Sequence, residues 1–174
     1  MELKNHKSIL IDANFLVKAV DLNTSKDDIA RIDNLFASLQ KSRGRLIIPM
    51  PALAEYLVEA DIARVEFFDK LEKRSYIFVA PFDRAAAFEC ANMDRAARQS
   101  GDKKDGVDKP WQSIKIDRQI VAIGKANGAT LVISGDKGVR NNATRVNISA
   151  IDIHDLELPD SAKQADMFDQ TKAP

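Results

Sequence analysis

Short apolar runs of four to five residues recur along this chain, separated by longer stretches whose apolar positions fall at helical spacing. Ser8-Ile-Leu-Ile-Asp12 is the first such run and ends on an acid, the pattern of a buried strand whose C-terminal end is polar. Asn14 to Asp21 reads as a short helix, broken by the polar stretch Leu22 to Lys26. Ser25 stands three residues ahead of Asp28, like the start of a capping box. Ile29, Ile32, Leu35, Phe36 and Leu39 follow at helical spacing, and Gly44 falls just beyond the end. Arg45-Leu-Ile-Ile-Pro49 predicts a second strand, and Pro51 suits the first turn of the next helix. That helix is expected to bury Leu53, Leu57 and Ala60. A further helical stretch to about Arg74 is expected to turn Ile62, Val65, Phe68 and Leu71 inward.

Tyr76-Ile-Phe-Val-Ala80 predicts a third strand. Asp83 to Gln99 reads as a long helix opened by Asp83, with Phe88, Cys90, Met93 and Ala97 as burial candidates. Ser100 to Ser113, rich in Gly, Lys and Asp, reads as a mobile loop. Asp117 to Asn127 is then a helix closed by Gly128, Ala129 to Ser134 a fourth strand, and Asn147 to Ile153 a fifth. Strands alternating with helices predict an α/β domain around a mostly parallel sheet. The domain is expected to span residues 1–158, with 159–174 a polar C-terminal tail. In such sheets ligands bind beyond the carboxyl ends of the strands, so the residues just after each apolar run carry the functional interest.

Composition narrows the function classes. A hydrophobic share of 45% over 174 residues supports a buried core and excludes a wholly disordered chain. The 26 basic and 26 acidic residues cancel, so nucleic acid would be met through a local patch rather than a general basic excess. A lone Cys90 forms no internal disulfide and points to a reducing compartment. No apolar run is long enough to span a bilayer, and the first residues lack the basic-then-apolar pattern of a secretion signal. A cytoplasmic location without membrane association is the expectation.

Four acids stand out by position. Asp12 directly follows the first strand and Asp136 lies two residues after Ser134 at the end of the fourth. Asp117 opens the helix leading into that fourth strand, and Glu55 lies early in the helix after the second. All four are expected at one edge of the sheet. Acids gathered there repel each other unless a positive charge sits among them, and a hard divalent ion such as Mg²⁺ or Mn²⁺ takes oxygen ligands of this kind. Such an ion supports phosphodiester hydrolysis and reverses the local charge that would repel a phosphate. Each acid also has a plainer reading. Asp12 and Asp117 suit helix N-caps, Asp136 sits in the turn-forming Ser-Gly-Asp-Lys-Gly, and Glu55 stands one helical turn from Glu59 on a polar face.

The ordered set carries more than any single acid. Ile9-Leu-Ile-Asp12-Ala-Asn14-Phe-Leu-Val resembles the opening strand of PIN-domain nucleases, and Pro51-Ala-Leu-Ala-Glu55-Tyr-Leu resembles their second motif. The stretch from Asp117 through Ala-Asn-Gly-Ala-Thr-Leu-Val-Ile-Ser134-Gly-Asp136 is similar to the third and fourth motifs in order and spacing, and is the most specific match. The resemblance spans roughly Ser8 to Ile153. It implies a three-layer α/β/α sandwich, a Mg²⁺- or Mn²⁺-dependent endoribonuclease activity and a homodimer. Carried over, Asp12, Glu55, Asp117 and Asp136 become catalytic metal-binding acids, with Asn14 and Ser134 orienting them. Small stand-alone members of this kind include VapC-type toxins neutralised by a partner antitoxin. The length, the large polar loop and the neutral charge depart from that compact toxin pattern.

Lys18, Arg118, Lys137 and Arg140 are candidate phosphate contacts with an RNA substrate, with ordinary surface charge as the alternative. Lys103 and Lys104 are offset by Asp102 and Asp105, and Trp111 either stacks on a base or plugs the domain edge. His6 and His154 pair with nothing at metal-ligand spacing. Two other functions remain open. One is a catalytically silent PIN-like scaffold binding RNA or protein, for which mutually repulsive acids serve no purpose. The other is a phosphoacceptor signalling domain, which Asp12-Ala-Asn14 and Ala80-Pro-Phe-Asp83 fit poorly.

Overall fold

In the computed structural model, which describes residues 6–58, 60–104, 106–160 and 162, the short apolar runs become a single sheet of five parallel strands in the order β3-β2-β1-β4-β5. The strands are β1 (Ser8–Ile11), β2 (Arg45–Pro49), β3 (Ile77–Ala80), β4 (Leu131–Ile133) and β5 (Ser149–Ile151). Between them run α1 (Ala13–Lys18), α2 (Lys26–Ser42), α3 (Met50–Val58), α4 (Ile62–Glu72), α5 (Arg84–Gln99), α6 (Trp111–Ala126) and α7 (Lys137–Arg145), and a 3₁₀ turn follows at Ile153–Asp155.

Two apolar cores show why the three central strands are continuously hydrophobic. Ile9, Ile11, Leu46, Ile48, Leu131 and Ile133 point to one face, against Phe15, Leu16, Ile32, Leu35, Leu39, Phe68 and Leu71 of α1, α2 and α4. Leu10, Ile47 and Val132 point to the other, against Ala86, Met93, Ile120, Val121, Val139 and Ala143 of α5, α6 and α7. Side chains alternate along a strand, so a sheet covered on both faces needs apolar residues at every position. The expected three-layer sandwich is the observed one. The register places Leu10 beside Ile47 on one side and Val132 on the other, so β1 sits at the centre.

Caps set several helix starts. Ser25 accepts from the Asp28 N–H at 3.1 Å and Asp83 from the Ala86 N–H at 2.9 Å, as their positions predict. At the end of α2 the left-handed residue is Arg43, with φ 52°, rather than the following glycine.

Burial departs from expectation on α3 to α5. Leu57, Ile62, Val65 and Phe88, expected inward, are exposed, with Ile62 at 79% and Phe88 at 60%. Ala52 and Tyr56 face the core from α3 instead, because that helix packs on its small and aromatic positions. α6 begins at Trp111, so Asp117 lies in its second turn and is not a cap, and the expected loop ends earlier. α7 was not foreseen. Its nine residues are mostly polar, and Val139 and Ala143, one turn apart, hold it to the sheet. Of the expected tail, only 159, 160 and 162 fall within the described residues.

Candidate active site

The strand order reverses direction at β1, whose neighbours β2 and β4 lead the chain away to opposite sides. The carboxyl ends of β1 and β4 therefore border a crevice, where open parallel sheets place their ligands. Asp12 follows β1 and caps α1, with Oδ1 accepting the Phe15 N–H at 3.0 Å. Its Oδ2 accepts a short hydrogen bond from Ser134 Oγ, at the end of β4. Ser134 Oγ in turn accepts the Asp136 N–H at 2.9 Å. Asp136 caps α7, Oδ1 accepting the Gly138 N–H at 2.6 Å. Asp12, Glu55, Asp117 and Asp136 all line one cleft of about 340 Å³, together with Asn14, Lys109 and Ser113.

Close packing brings Asp117 there. A Cβ on Gly124 would stand 2.8 Å from a Leu10 methyl, so the absence of a side chain lets α6 lie directly on the central strand. Asp117 is two turns earlier on the same face of α6. Gly138 opens the space opposite, since a Cβ there would overlap Asp117 Oδ2 and stand 3.0 Å from Asp136 Oδ1.

The electrostatics divide the acids. Burial pushes the carboxyl of Asp12 up, against the Ser134 and Phe15 hydrogen bonds, and the charge of Asp136 adds to the rise. Burial also raises Asp117, helped by Asp136 and opposed by Lys109. Glu55 is raised by burial and then by the charges of Asp117, Asp12 and Asp136. Asp136 goes the other way: its burial is outweighed by the hydrogen bond from Lys109 and the backbone N–H of Gly138, and its pKa falls.

Lys109 is the positive member of the cleft. Its Nζ donates to both oxygens of Asp136, at 2.7 and 2.6 Å, and lies 3.6 Å from Asp117 Oδ2. Sequence reasoning missed it inside the polar segment, where Lys103 and Lys104 drew attention; its place one residue before the Pro110 that starts α6 was the available signal. Gly138 was also missed.

The donor set is oxygen-only and anionic, which fits a hard divalent cation. Among the described residues, no three histidine, cysteine, aspartate or glutamate side chains converge closely enough to cage an ion as they stand. The Lys109 ammonium lies among these acids, bonded to both oxygens of Asp136 and 3.6 Å from Asp117 Oδ2.

The remaining candidates separate. Asn14 is exposed on the cleft wall and Ser134 is fully buried beneath it. Lys137 is exposed one residue beyond Asp136. Lys18 is turned to Asp28, 3.6 Å away, and to His154. Arg118 is a correction: it is 1% exposed, donates to Asp94 at 2.6 Å and to the Lys103 carbonyl at 2.7 Å, and does not line the acid cleft. Arg140 donates to the Ser134 carbonyl and to Asp152, tying β4 to the segment after β5. Trp111 is half-buried with Lys103, Lys115 and Arg118 around its ring, at 5.3, 5.7 and 5.5 Å from the centroid. His154 bonds Asp28 and His6 bonds Thr130, both outside the cleft. Burial pushes the Cys90 thiol up, the reverse of an activated nucleophile.

A family model described as PIN domain matches residues 9–144. Among solved structures, the chain is similar to a chain of VapBC2 from Rickettsia felis bound to a DNA fragment from its promoter. The identity is 15%, the TM-score 0.58, and the match covers 83% of this chain and 98% of that one. A chain of DNA-bound VapBC from Salmonella typhimurium matches with 18% identity and a TM-score of 0.53, over 84% of this chain and 98% of that one. At these identities the likeness is one of fold. No curated protein sequence matches.

Proposed function

The chain belongs to the PIN-domain family, and on that premise we propose that it is a metal-dependent endoribonuclease acting through Asp12, Glu55, Asp117 and Asp136. The observation that carries the reading is the lining of one cleft at the β1/β4 switch point by all four acids. PIN-domain nucleases typically use divalent ions, and Asp12, Asp117 and Asp136, with Glu55 at the open side, would hold Mg²⁺ or Mn²⁺ here. Such an ion supplies Lewis-acid charge for hydrolysis of an RNA phosphodiester.

The protein's own residues do the rest. The Phe15 N–H and Ser134 Oγ fix Asp12 from behind, and the Gly138 N–H fixes Asp136, so both carboxylates are oriented before any ligand arrives. Asn14 borders the same cleft and lowers the proton affinity of Asp12 by hydrogen bonding. Glu55 stands at the open side, its proton affinity raised by partial burial and then by its neighbours' charges, and is the group suited to take a proton from attacking water. Lys137, exposed beside Asp136, is the remaining phosphate contact of the candidate set; Lys18 contributes only if it leaves Asp28.

The two similar structures are of VapBC bound to DNA, and an antitoxin partner, a homodimeric state and a cytoplasmic location belong to the same proposal for this chain. No described helix is long and apolar enough to cross a membrane. A silent scaffold is the second reading, and Lys109 favours it, because an ammonium already balances two of the acids.

RNA cleavage by purified protein in Mn²⁺, Mg²⁺ and EDTA, beside Asp12→Asn and Asp136→Asn, separates the two. Cleavage that needs metal and is lost in both variants supports the nuclease. Cleavage that resists EDTA, or survives both substitutions, refutes the mechanism, and folded protein that neither binds added metal nor cleaves RNA in its presence supports the scaffold.

A further inference from the structure

We propose that Lys109 is a resident counter-ion of the acid cleft, which a divalent ion must displace before the cleft becomes competent. The inference rests on the reading that these acids take a metal ion. Three observations carry it. Lys109 Nζ contacts both oxygens of Asp136 and approaches Asp117, so it holds the charge position a divalent ion would need. Gly138 leaves room for it: a Cβ there would stand 3.2 Å from Nζ. And the backbone that delivers Lys109 is tied down rather than loose.

The segment expected as a loop carries hydrogen bonds of its own. Asp102 accepts the N–H groups of Lys104 and Gly106 at 2.8 and 2.6 Å. Lys104 Nζ donates to the Lys109 carbonyl at 3.0 Å. Arg118, buried and paired with Asp94, donates to the Lys103 carbonyl. Pro110 then fixes the chain direction into α6. The segment is thus bonded to α6 and, through Arg118, to Asp94 of α5, and Lys109 reaches the acids from it. Its side chain is 32% exposed, so the ammonium can swing to solvent without disturbing the core.

Two cations competing for the same carboxylates lower each other's apparent affinity. The metal sees only the fraction of molecules with Lys109 withdrawn. A charge-assisted pair with a two-oxygen partner corresponds to roughly a tenfold or greater bias toward the lysine-bound state. The cleft would therefore stay closed at low divalent-ion concentration and open as the ion rises, with the chain itself supplying the balance in between.

The test is Mn²⁺ binding by calorimetry, with thermal melts in EDTA and in Mn²⁺, on the full chain and three variants. Lys109→Met should bind Mn²⁺ about tenfold more tightly, melt lower than wild type in EDTA, and gain more from Mn²⁺. Lys109→Gln, which keeps a donor for Asp136 and so protects the fold, should move in the same direction by less. Lys137→Met removes an equal charge from the exposed neighbour of Asp136 and should change the affinity only slightly. Unchanged or weaker binding by both Lys109 variants overturns the inference while leaving the metal site standing. Equal tightening by Lys137→Met overturns it too, by reducing the effect to general charge. Absence of Mn²⁺ binding in every protein overturns the metal reading and the inference with it.

Discussion

Asp117 and Gly138 stand close together, and each has a consequence that can be measured alone. Asp117 is buried, and its carboxyl is raised mainly by that burial and by the charge of Asp136. A raised acid contributes stability below its unfolded pKa and loses it as pH rises through the folded value. Asp12 and Glu55 share that sign, while Asp136, lowered through Lys109, has the opposite one. In EDTA the protein is therefore expected to lose stability on raising the pH above the ordinary carboxylate range. At neutral pH Asp117→Asn should melt about 2–4 °C higher than wild type, and lose the stabilisation that Mn²⁺ gives wild type. A lower melting temperature in EDTA would contradict the charge-crowding account. Gly138→Ala places a methyl against Asp117 Oδ2, so a weakened Mn²⁺ response from folded protein is the expected result, checked by the same melts.

At the scale of elements, the cleft depends on how closely α6 lies on β1. Gly124→Val drives a branched side chain into Leu10, and is expected to destabilise by about 1–3 kcal/mol in denaturant unfolding. An unaltered midpoint would mean that α6 is not held in this way. The strands were legible in the sequence because a doubly covered parallel sheet requires unbroken apolar runs, and β2 was found to the residue. Asp12 and Asp136 were legible for the same reason, being the first acids after such runs. The start of α6 was not, since Gln112 and Ser113 close a long polar segment and Pro110 gives the helix no side-chain cap. Nor was α7, whose Gly and two Asn have low helix propensity and which persists through tertiary packing. Arg118 illustrates the limit of pattern alone: a charge near the rim reads as surface, and only the fold reveals that Asp94 and the Lys103 carbonyl bury it.

For the whole molecule, zero net charge and the engagement of Lys18, Arg118 and Arg140 leave few of the candidate cations near the cleft to meet RNA phosphates. Binding of single-stranded RNA should accordingly be only mildly salt-dependent. Raising NaCl from about 50 to about 200 mM should weaken it less than about tenfold, the slope expected for roughly two phosphate contacts. A steep slope in a binding titration would point to a basic surface these residues do not form. The central claim, that the acids at the β1/β4 crevice form a divalent-ion site, is tested most directly by anomalous diffraction from crystals soaked in Mn²⁺. The account predicts one or two manganese peaks among Asp12, Asp117 and Asp136, with Lys109 turned away from Asp136. Crystals in which Lys109 keeps its place on Asp136 and no manganese enters the cleft would contradict it.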